Sequence, residues 1–378
     1  MGSYWLEEAT DPLPRRRLRG RAEVEVVGAG VTGCACALAL AAAGVEVRVH
    51  EARTVASGAS GRNGGFALRG GAMPYDEARV LLGGAARLLW EASERAVERL
   101  AGLAGDAFRR TGSLRLAWDA GERARLEREH EALLADGFAA EWLDEVGVPS
   151  GGRFPGALVH PRDGALAPAR WVRRLASLAV EAGAELREAS RVESLAALEA
   201  DAVVIATDGY TRGLLAALDL AIRPARGQVL VTEPLSALHF DRPHYARDGY
   251  DYWQQTPDRR LVVGGRRDTS LATEWTAEEA TTAAVQGELE ALVRELLGRV
   301  PPVTHRWAGI FGSTADRLPL VGAVPGRPGT WVAAGYSGHG NVLGLACGEL
   351  VAAAILGRRD DELLALFDPA RVVDAVAR

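Results

Sequence analysis

Residues Gly28–Gly33 read GAGVTG and follow the pattern GxGxxG. The pattern comes after an apolar run and before a run of small residues, and Glu51 stands eighteen residues after Gly33. Glycine at these places permits a tight turn, lets the backbone approach a pyrophosphate and lets a helix lie close to a strand. Glu51 would accept hydrogen bonds from ribose hydroxyls, which disfavours a 2'-phosphate. The motif predicts FAD or NAD rather than NADP, the alternative being a glycine-rich turn without a ligand.

A second glycine-rich stretch, residues 57–66 (SGASGRNGGF), follows shortly after Glu51. It suits neither a helix nor a core strand, because glycine is costly inside a helix and leaves a strand nothing to pack. Bare amides here could wrap the remaining length of a longer dinucleotide, with Arg62 neutralising charge. The alternative is a surface turn with a solvated Arg62. The residues that could donate to phosphate oxygens and the flavin ring are Ser60, Gly61, Asn63 and Gly64.

Two further stretches carry chemical groups. In residues 335–341 (GYSGHGN), a glycine-rich turn precedes a predicted helix and would stabilise negative charge on a reduced flavin. His339 within it either acts there or merely fills the turn. In residues 250–256 (YDYWQQT), aromatic side chains could hold a cationic amine. Strand alternation puts Tyr250, Tyr252 and Gln254 on one face and Asp251, Trp253 and Gln255 on the other, although aromatic residues in strands more often pack in the core.

Composition limits the classes of protein. The chain has 378 residues and a net charge of -6, which argues against a general nucleic-acid binder. All 44 basic residues are arginine, so no lysine can form a Schiff base. Three cysteines make no disulfide framework, which favours a reduced, cytoplasmic protein. Arg15–Arg17 could begin an export signal, but Glu23 and Glu25 interrupt its apolar core. We expect no membrane span.

The elements that must position these groups alternate between strand and helix. Strands are predicted near 24–27, 45–49 and 201–206, helices over 76–104, 119–135 and 168–183, and a strand over 184–195. Residues 226–266 are rich in strands. This pattern predicts an α/β fold: a discontinuous doubly wound FAD-binding domain with an inserted substrate domain of mixed β-sheet plus helices. The predicted ranges are 20–75, 155–222 and 306–360 for the first, 76–154 and 223–305 for the second, and 361–378 for a C-terminal tail.

The sequence resembles the D-amino-acid oxidase or glycine oxidase-like family of FAD-dependent oxidoreductases. Within the family it is most similar to the branch containing gamma-glutamylputrescine oxidase. The resemblance covers almost the whole chain, and the order and spacing of its motifs are specific. The motifs are SYW (3–5), GAGVTG (28–33), GASGRNGGF (58–66), DGALAP (163–168), VVIATDGY (203–210), LVVGG (261–265), DRLPLVG (316–322), GYSGHGN (335–341) and FDPAR (367–371).

The resemblance implies a noncovalent FAD, with Val192 at the adenine, residues 207–209 closing over the dinucleotide and Gly338–Gly340 at the flavin. The candidate catalytic residues are His339, Tyr252, Gln254 and Trp253. No metal ligand is predicted. The candidate cofactor-binding residues are Gly28, Gly30, Val31, Thr32, Gly33, Glu51, Ala52, Arg53, Ser60, Gly61, Arg62, Asn63, Gly64, Gly65, Val192, Thr207, Gly209, Gly335, Gly338, His339, Gly340, Asn341 and Val342.

Two departures from the family's pattern concern the reaction. Phe311 stands roughly where relatives carry an arginine that clamps a substrate carboxylate, although Arg62, Arg306 or Arg317 could serve from another direction. Val262 stands where sarcosine-oxidase-like relatives carry a lysine that promotes reaction with oxygen. The first departure favours an amine over a simple amino acid. The second leaves open whether oxygen or another acceptor reoxidises the flavin.

The sequence therefore predicts an FAD enzyme that oxidises a C–N bond in a small-molecule amine by hydride transfer to flavin N5. The resulting imine hydrolyses. One alternative is an oxidase or dehydrogenase of a D-amino acid, glycine or an N-methyl amino acid. Another, from a different class, is a non-catalytic flavoprotein serving as a redox sensor or scaffold subunit. A disulfide reductase or monooxygenase is disfavoured, because no C-x₄-C pair and no second GxGxxG occur.

Overall fold

The computed structural model describes residues 2–8, 12–358 and 361–372. Two large sheets and the helices packed on them form the architecture. The first sheet has six strands and the second has eight. The prediction of an α/β fold is confirmed.

The six-stranded sheet is parallel except at one edge. Its central strand, Val24–Val27, pairs in parallel with Val47–His50 on one side and with Ala202–Ile205 on the other. All four residues of the central strand are buried, as expected for a sheet covered on both faces. In sheet order the strands are Glu185–Arg187, Val47–His50, Val24–Val27, Ala202–Ile205, Thr330–Ala334 and the antiparallel Leu320–Ala323.

Side chains on the two faces of this sheet enter different apolar clusters. Val204 packs in the cluster that contains the helix Val31–Ala42, whereas its neighbour Ile205 packs with Leu218 of the helix Ala216–Ala221. The helices Val31–Ala42 and Gly340–Ile355 pack against each other. They can approach closely because Gly348 has no side chain. A Cβ at this position would lie 2.4 Å from the carbonyl oxygen of Thr32. This contact brings the N-termini of two helices to the same region.

The eight-stranded sheet is mixed. A parallel pair, Ser113–Leu116 with His244–Ala246, lies among antiparallel neighbours. One face packs on the helix Ala283–Leu297. In sheet order its strands are Val303–Ser313, Arg223–Pro234, Arg260–Gly265, Asp251–Gln255, His244–Ala246, Ser113–Leu116, Ala157–His160 and Glu141–Leu143.

The remaining elements are smaller sheets and further helices. Among the described residues, no helix combines the length and the apolar character needed to cross a membrane. The three-stranded sheet is Phe66–Ala67, Gly164–Leu166 and Phe108–Arg109, and the two-stranded sheet is Val146–Gly147 and Arg153–Phe154. The other helices are Tyr4–Glu7, Tyr75–Leu82, Ala85–Ala104, Ala120–Ala135, Pro168–Ala182, Leu271–Glu274 and Asp361–Phe367.

Three expectations differ from the structure in detail. The predicted helix 76–104 is two helices, because Gly83 takes a φ of 57° and breaks the first. The predicted strand 184–195 ends at Arg187, because the sheet ends there and leaves residues after it without a partner strand. Strands 157–160 and 303–313 fall within, or largely within, the ranges predicted for the FAD-binding domain but pair in the eight-stranded sheet. The domain boundaries themselves stay a prediction.

Candidate active site

A cavity of about 970 Å³ lies between the carboxyl ends of the parallel strands and one face of the eight-stranded sheet. Val27, His50 and Ala206 line it from the first sheet, and Tyr245 and Tyr252 line it from the second. In open α/β sheets, ligands bind outside the carboxyl ends of the strands. The location is therefore that of a nucleotide site with a second compartment beside it.

The first glycine motif forms a turn that admits no side chains. Gly28 has a φ of 106°, a left-handed conformation that favours glycine. A Cβ on Gly33 would lie 1.9 Å from the carbonyl oxygen of Gly28. The helix Val31–Ala42 can therefore begin directly above the central strand only with these glycines.

Backbone donors converge at the start of this helix. Among the described residues, no backbone acceptor is bonded to the amides of Gly30, Thr32 or Gly33, and the amide of Val31 donates to Ser60 Oγ at 3.1 Å. Free amides and the positive end of a helix dipole bind phosphate. The residues present thus fit the pyrophosphate of a dinucleotide.

Glu51 follows the second strand and points back to the glycine turn. Its carboxylate accepts hydrogen bonds from the amide of Ala29 at 3.0 Å and from the amide of Arg53 at 2.9 Å. Arg53 also lines the cavity and pairs with Glu279 at 2.7 Å. Glu51 is thus fixed at the position from which a carboxylate can reach a ribose.

The loop 57–66 is held by its own side chains. Arg62 is not a solvated surface residue: its guanidinium donates to the carbonyl oxygens of Ser57 and Ala308, at 2.7 and 3.2 Å. Asn63 bonds with Asn341 at 3.1 Å, which joins the loop to the helix Gly340–Ile355. Gly64 approaches Tyr252 so closely that a Cβ would lie 2.8 Å from its ring.

The segment SYW near the start of the chain braces the outside of this loop. The Ser3 hydroxyl donates to the carbonyl oxygen of Gly61 at 2.9 Å. The Trp5 indole donates to the carbonyl oxygen of Asn63 at 2.9 Å. A Cβ on Gly61 would lie 2.2 Å from the carbonyl oxygen of Ala56, so Gly61 has a packing role.

Asp208 connects the middle of the chain to its later strands. Its carboxylate accepts from the amides of Gly312 and Gly335, each at 2.8 Å. Desolvation raises the pKa of Asp208, and these amide donors oppose that shift. Asp208 lies in the segment 207–209 that the resemblance placed over the dinucleotide, but it was not named individually as a site residue. A carboxylate in a glycine-flanked turn after a buried strand was the available signal.

His339 lies in the second glycine turn, at the start of the helix Gly340–Ile355. It lines the cavity, and its Nδ1 is buried without a hydrogen-bond partner among the described residues. Burial, with help from the charge of Arg115, lowers the pKa of His339 to about 4. The imidazole is therefore neutral at physiological pH and can hydrogen-bond a ligand, but it is a weak base.

Most predicted cofactor residues share the cavity wall. Five do not reach it, and in each of those a Cβ would collide with neighbouring atoms. The residues that line the cavity are Gly28, Gly30, Val31, Thr32, Glu51, Ala52, Arg53, Ser60, Arg62, Asn63, Gly64, Val192, Thr207, Gly338, His339, Gly340, Asn341 and Val342. The five that do not are Gly33, Gly61, Gly65, Gly209 and Gly335.

Of the predicted substrate wall, Tyr252 lines the cavity and two neighbours do not. Trp253 lies on the opposite face of the sheet, fully buried, and stacks on His244 with ring centroids 5.5 Å apart. The placement of Trp253 at the substrate is therefore wrong, because strand alternation turns it into the apolar core. Gln254 is also buried and donates to the carbonyl oxygens of Gly64 and Gly65, at 2.6 and 2.8 Å. Its role is to hold the loop.

Arg267 is the main residue that sequence reasoning missed. Its guanidinium lies over the rings of Tyr250, Trp275 and Phe311, at 5.2, 5.2 and 5.5 Å from the centroids. It lines the cavity, and no described residue forms a hydrogen bond or ion pair with it. The pair Arg266-Arg267 directly after an apolar strand was a signal, because a strand end carries site residues.

The other residues named for substrate or oxygen chemistry are placed differently. Phe311 lines the cavity beside Arg267. Arg306 pairs with Glu290 outside the cavity, and Arg317 pairs with Glu77 at its edge. Val262 is buried in the core of the sheet.

These features define a dinucleotide-binding protein, and the comparisons give the family. Residues 23–354 match the family described as FAD dependent oxidoreductase (DAO), and the chain belongs to it. The protein is thus an FAD-dependent oxidoreductase.

Among curated relatives, the probable oxidoreductase OrdL of Rhizobium meliloti (strain 1021) is 27% identical over 351 residues, 83% of this chain and 78% of that protein. The glycine oxidase of Pseudomonas aeruginosa is 28% identical over 194 residues, 49% of this chain and only 50% of that protein. The closer likeness to the gamma-glutamylputrescine oxidase branch stays a prediction.

Solved structures share the fold. The glycine oxidase of Geobacillus kaustophilus superposes with a TM-score of 0.74 at 24% identity, covering 93% of this chain and 99% of that one. The L-proline dehydrogenase of P. horikoshii superposes with a TM-score of 0.77 at 24% identity, covering 94% and 98%. The prediction of an FAD-binding domain with a substrate domain agrees with this shared fold.

Proposed function

We propose that this protein oxidises the C–N bond of an amine that carries a carboxylate, that is, an amino acid or an N-substituted amino acid. FAD held at the two glycine turns would supply the hydride acceptor, and the imine product would hydrolyse. Oxygen or another acceptor then reoxidises the cofactor. Relatives named glycine oxidase and D-amino acid dehydrogenase support an amino or imino group as the site of oxidation.

The observation that supports a carboxylate on the substrate is the position of Arg267 in the cavity wall. A guanidinium held among three aromatic rings cannot leave the cavity wall easily, and it has no carboxylate partner among the described residues. Burying an unpaired charge is costly, and a bidentate carboxylate is the ligand that best relieves the cost. Phe311 stands roughly where the family's clamp is expected, and the Arg267 guanidinium lies over its ring from the turn that follows the strand Arg260–Gly265.

The chain's own residues then bind and orient the substrate. The hydroxyls of Tyr250 and Tyr252 line the same wall as Arg267, and neither bonds with a described residue. Burial raises the pKa of Tyr252 to about 12, so this hydroxyl stays protonated and donates rather than acting as a base. His339, neutral for the reason given above, adds no cation beside a neutral amine.

Phe311 favours a second candidate, an amine without a carboxylate. If Arg267 serves only to order its aromatic neighbours, the pocket has no clamp and should prefer amines. The sequence led to this expectation, and Arg267 is the reason for placing the carboxylate first.

The test is anaerobic reduction of the bound flavin by matched pairs: D-alanine with ethylamine, and sarcosine with dimethylamine, with L-alanine included. We expect the carboxylate members to win at least tenfold. Arg267→Met should lower the ratio of the two reduction rates in each pair by about a hundredfold. A charge left unpaired discriminates strongly against a substrate that lacks the carboxylate. Arg294→Met, which alters an arginine on the helix Ala283–Leu297, is the control. Faster reduction by the bare amines, unchanged in Arg267→Met, would establish the second candidate instead.

We propose that the FAD is noncovalent. The free cysteines Cys34, Cys36 and Cys347 are buried in helices and do not line the cavity. Acid precipitation should release the flavin into the supernatant, and flavin that stays in the washed pellet would contradict the proposal.

A further inference from the structure

Three cavity side chains stand in one row across the eight-stranded sheet. Tyr252 pairs directly with Tyr245 on the next strand, and Tyr245 pairs directly with Arg115 on the strand after that. Directly paired residues point to the same face, and neighbouring strands are about 4.8 Å apart. Arg115 is therefore about 10 Å from Tyr252 along the sheet, and all three line the cavity.

The far end of this row is polar but carries no free charge. Arg115 pairs with Glu129 at 2.6 Å and with Asp248 at 3.2 Å, and Asp248 also approaches Arg125 at 3.6 Å. Nearby, Arg69 pairs with Glu94 at 2.6 Å and with Asp163 at 3.1 Å. Burial keeps His160 neutral by lowering its pKa well below the usual range. Each cation here thus has its own carboxylate partners, unlike Arg267.

Tyr245 has an unused hydrogen-bond donor at this end of the cavity. Its hydroxyl bonds with no described residue, whereas the Tyr210 and Tyr75 hydroxyls bond to Glu279 and Asp136. Burial raises the pKa of Tyr245, so the group remains a phenol and a donor. Leu68, Met73 and Trp90 line the cavity as well and provide apolar surface.

We infer that this compartment is a second subsite, which binds an uncharged polar tail of the substrate through the Tyr245 hydroxyl. The tail ends in a hydrogen-bond acceptor such as an amide carbonyl, one strand spacing from Tyr252. An anionic tail would find no unpaired cation in this compartment, and an alkyl tail would leave the Tyr245 hydroxyl without a hydrogen bond. The inference rests on the proposed oxidation and specifies the part of the substrate that the flavin does not touch.

The experiment measures kcat/KM for flavin reduction in the FAD-loaded enzyme with two matched series. One places the tail on carbon: norvaline, glutamine and glutamate, as both enantiomers. The other places it on nitrogen: N-propylglycine, the monoamide of iminodiacetate, and iminodiacetate itself. We expect the amide to exceed its alkyl and carboxylate counterparts about tenfold in at least one series, which one good hydrogen bond supplies.

Tyr245→Phe should remove that advantage and leave alanine and sarcosine within twofold. Tyr4→Phe removes a hydroxyl that bonds to Asp258 far along the chain, and should leave every ratio unchanged. Equal losses for tailed and tailless substrates in Tyr245→Phe, a preference for the dicarboxylates, or no tail-dependent reduction in either series would each overturn the subsite.

The outcome is separable from the carboxylate proposal. Butylamine and 4-aminobutanamide, the counterparts of norvaline and glutamine that lack the carboxylate, repeat the tail comparison. If Arg267→Met fails to alter substrate choice but the amide still wins and still depends on Tyr245, the carboxylate proposal falls and the subsite stands. If Arg267→Met does alter substrate choice but the amide has no advantage that depends on Tyr245, the subsite falls and the carboxylate proposal stands.

Discussion

The two ends of the cavity are built from different parts of the polypeptide. At the nucleotide end, backbone amides and glycines form the wall, and added Cβ atoms would collide with main-chain atoms. At the substrate end, the wall consists of tyrosine and arginine side chains that project from one sheet face. The first arrangement fixes a shape shared by all ligands with a pyrophosphate. The second can change its chemistry by single substitutions while the sheet stays intact.

The largest effect is expected at the nucleotide end, from Gly33→Ala. The new Cβ would lie 1.9 Å from the Gly28 carbonyl oxygen, a main-chain atom that cannot rotate away. We expect the collision to lower the free energy of unfolding by more than about 3 kcal/mol, so that little flavin-loaded protein forms. Gly287→Ala, in a helix where a Cβ meets nothing within 4 Å, is the control and should unfold at the wild-type temperature or above. The measurement is flavin content per protein. Full flavin loading of Gly33→Ala would contradict the claim that the wall at the nucleotide end admits no added Cβ atom.

Asp208 tests whether the nucleotide end depends on any side chain. Asp208→Asn replaces one acceptor with an N–H facing an amide donor, so one buried bond is lost and one donor is left unsatisfied. We expect the free energy of unfolding to fall by about 2–3 kcal/mol. Asp219→Asn, which alters a carboxylate bonded to the exposed amide of Gly213, should cost less than about 1 kcal/mol. Equal denaturant midpoints for the two variants would show that Asp208 is not a structural link.

A smaller effect is expected from Glu51→Ala, which removes a proposed contact with the ribose. A charge-assisted hydrogen bond contributes about 1.5–3 kcal/mol, so the Kd for FAD should rise at least tenfold. The exposed Glu46 at the other end of the same strand provides the control, Glu46→Ala. Titration of apoprotein with FAD gives both constants. An unchanged Kd in Glu51→Ala would remove Glu51 from the cofactor site.

The smallest effect concerns His339, where the two ends meet. Its pKa is lowered to about 4 in the folded apoprotein, against an ordinary value near 6.5. The unfolded chain therefore takes up the proton first, and this contribution to stability is lost as pH falls from about 6.5 towards 4. Apoprotein with His339→Gln should lose about 1 kcal/mol less than wild type between pH 7 and about 5.5. Parallel stability curves across that range would contradict the neutral, buried imidazole.

The sequence was sufficient to predict the nucleotide end because its requirements are local. GxGxxG, the following helix and Glu51 specify the geometry of the first turn within about 25 residues. Gly33 and Gly335 could be named although neither touches the cavity, because the constraint acts on their own backbone.

The substrate end could not be predicted in the same way. Which face of the strand Asp251–Gln255 meets the cavity depends on pairing with Arg260–Gly265 and His244–Ala246, and therefore on distant sequence. Trp253 was misplaced for this reason. Arg267 could be recognised only once Tyr250, Trp275 and Phe311 surrounded it and the absence of a described carboxylate partner became visible.

The two glycine turns that meet at the cavity also have a consequence for synthesis of the protein. Gly28–Gly33 leaves the ribosome roughly 15 to 60 s before Gly338–Val342, at about 5–20 residues per second. Until then Ala202–Ile205 lacks its neighbour Thr330–Ala334, and Thr32 lacks the hydroxyl of Tyr336 that bonds to it at 2.8 Å. A nascent chain therefore has only part of the cavity wall, and the wall is complete only after the last third of the polypeptide has been made.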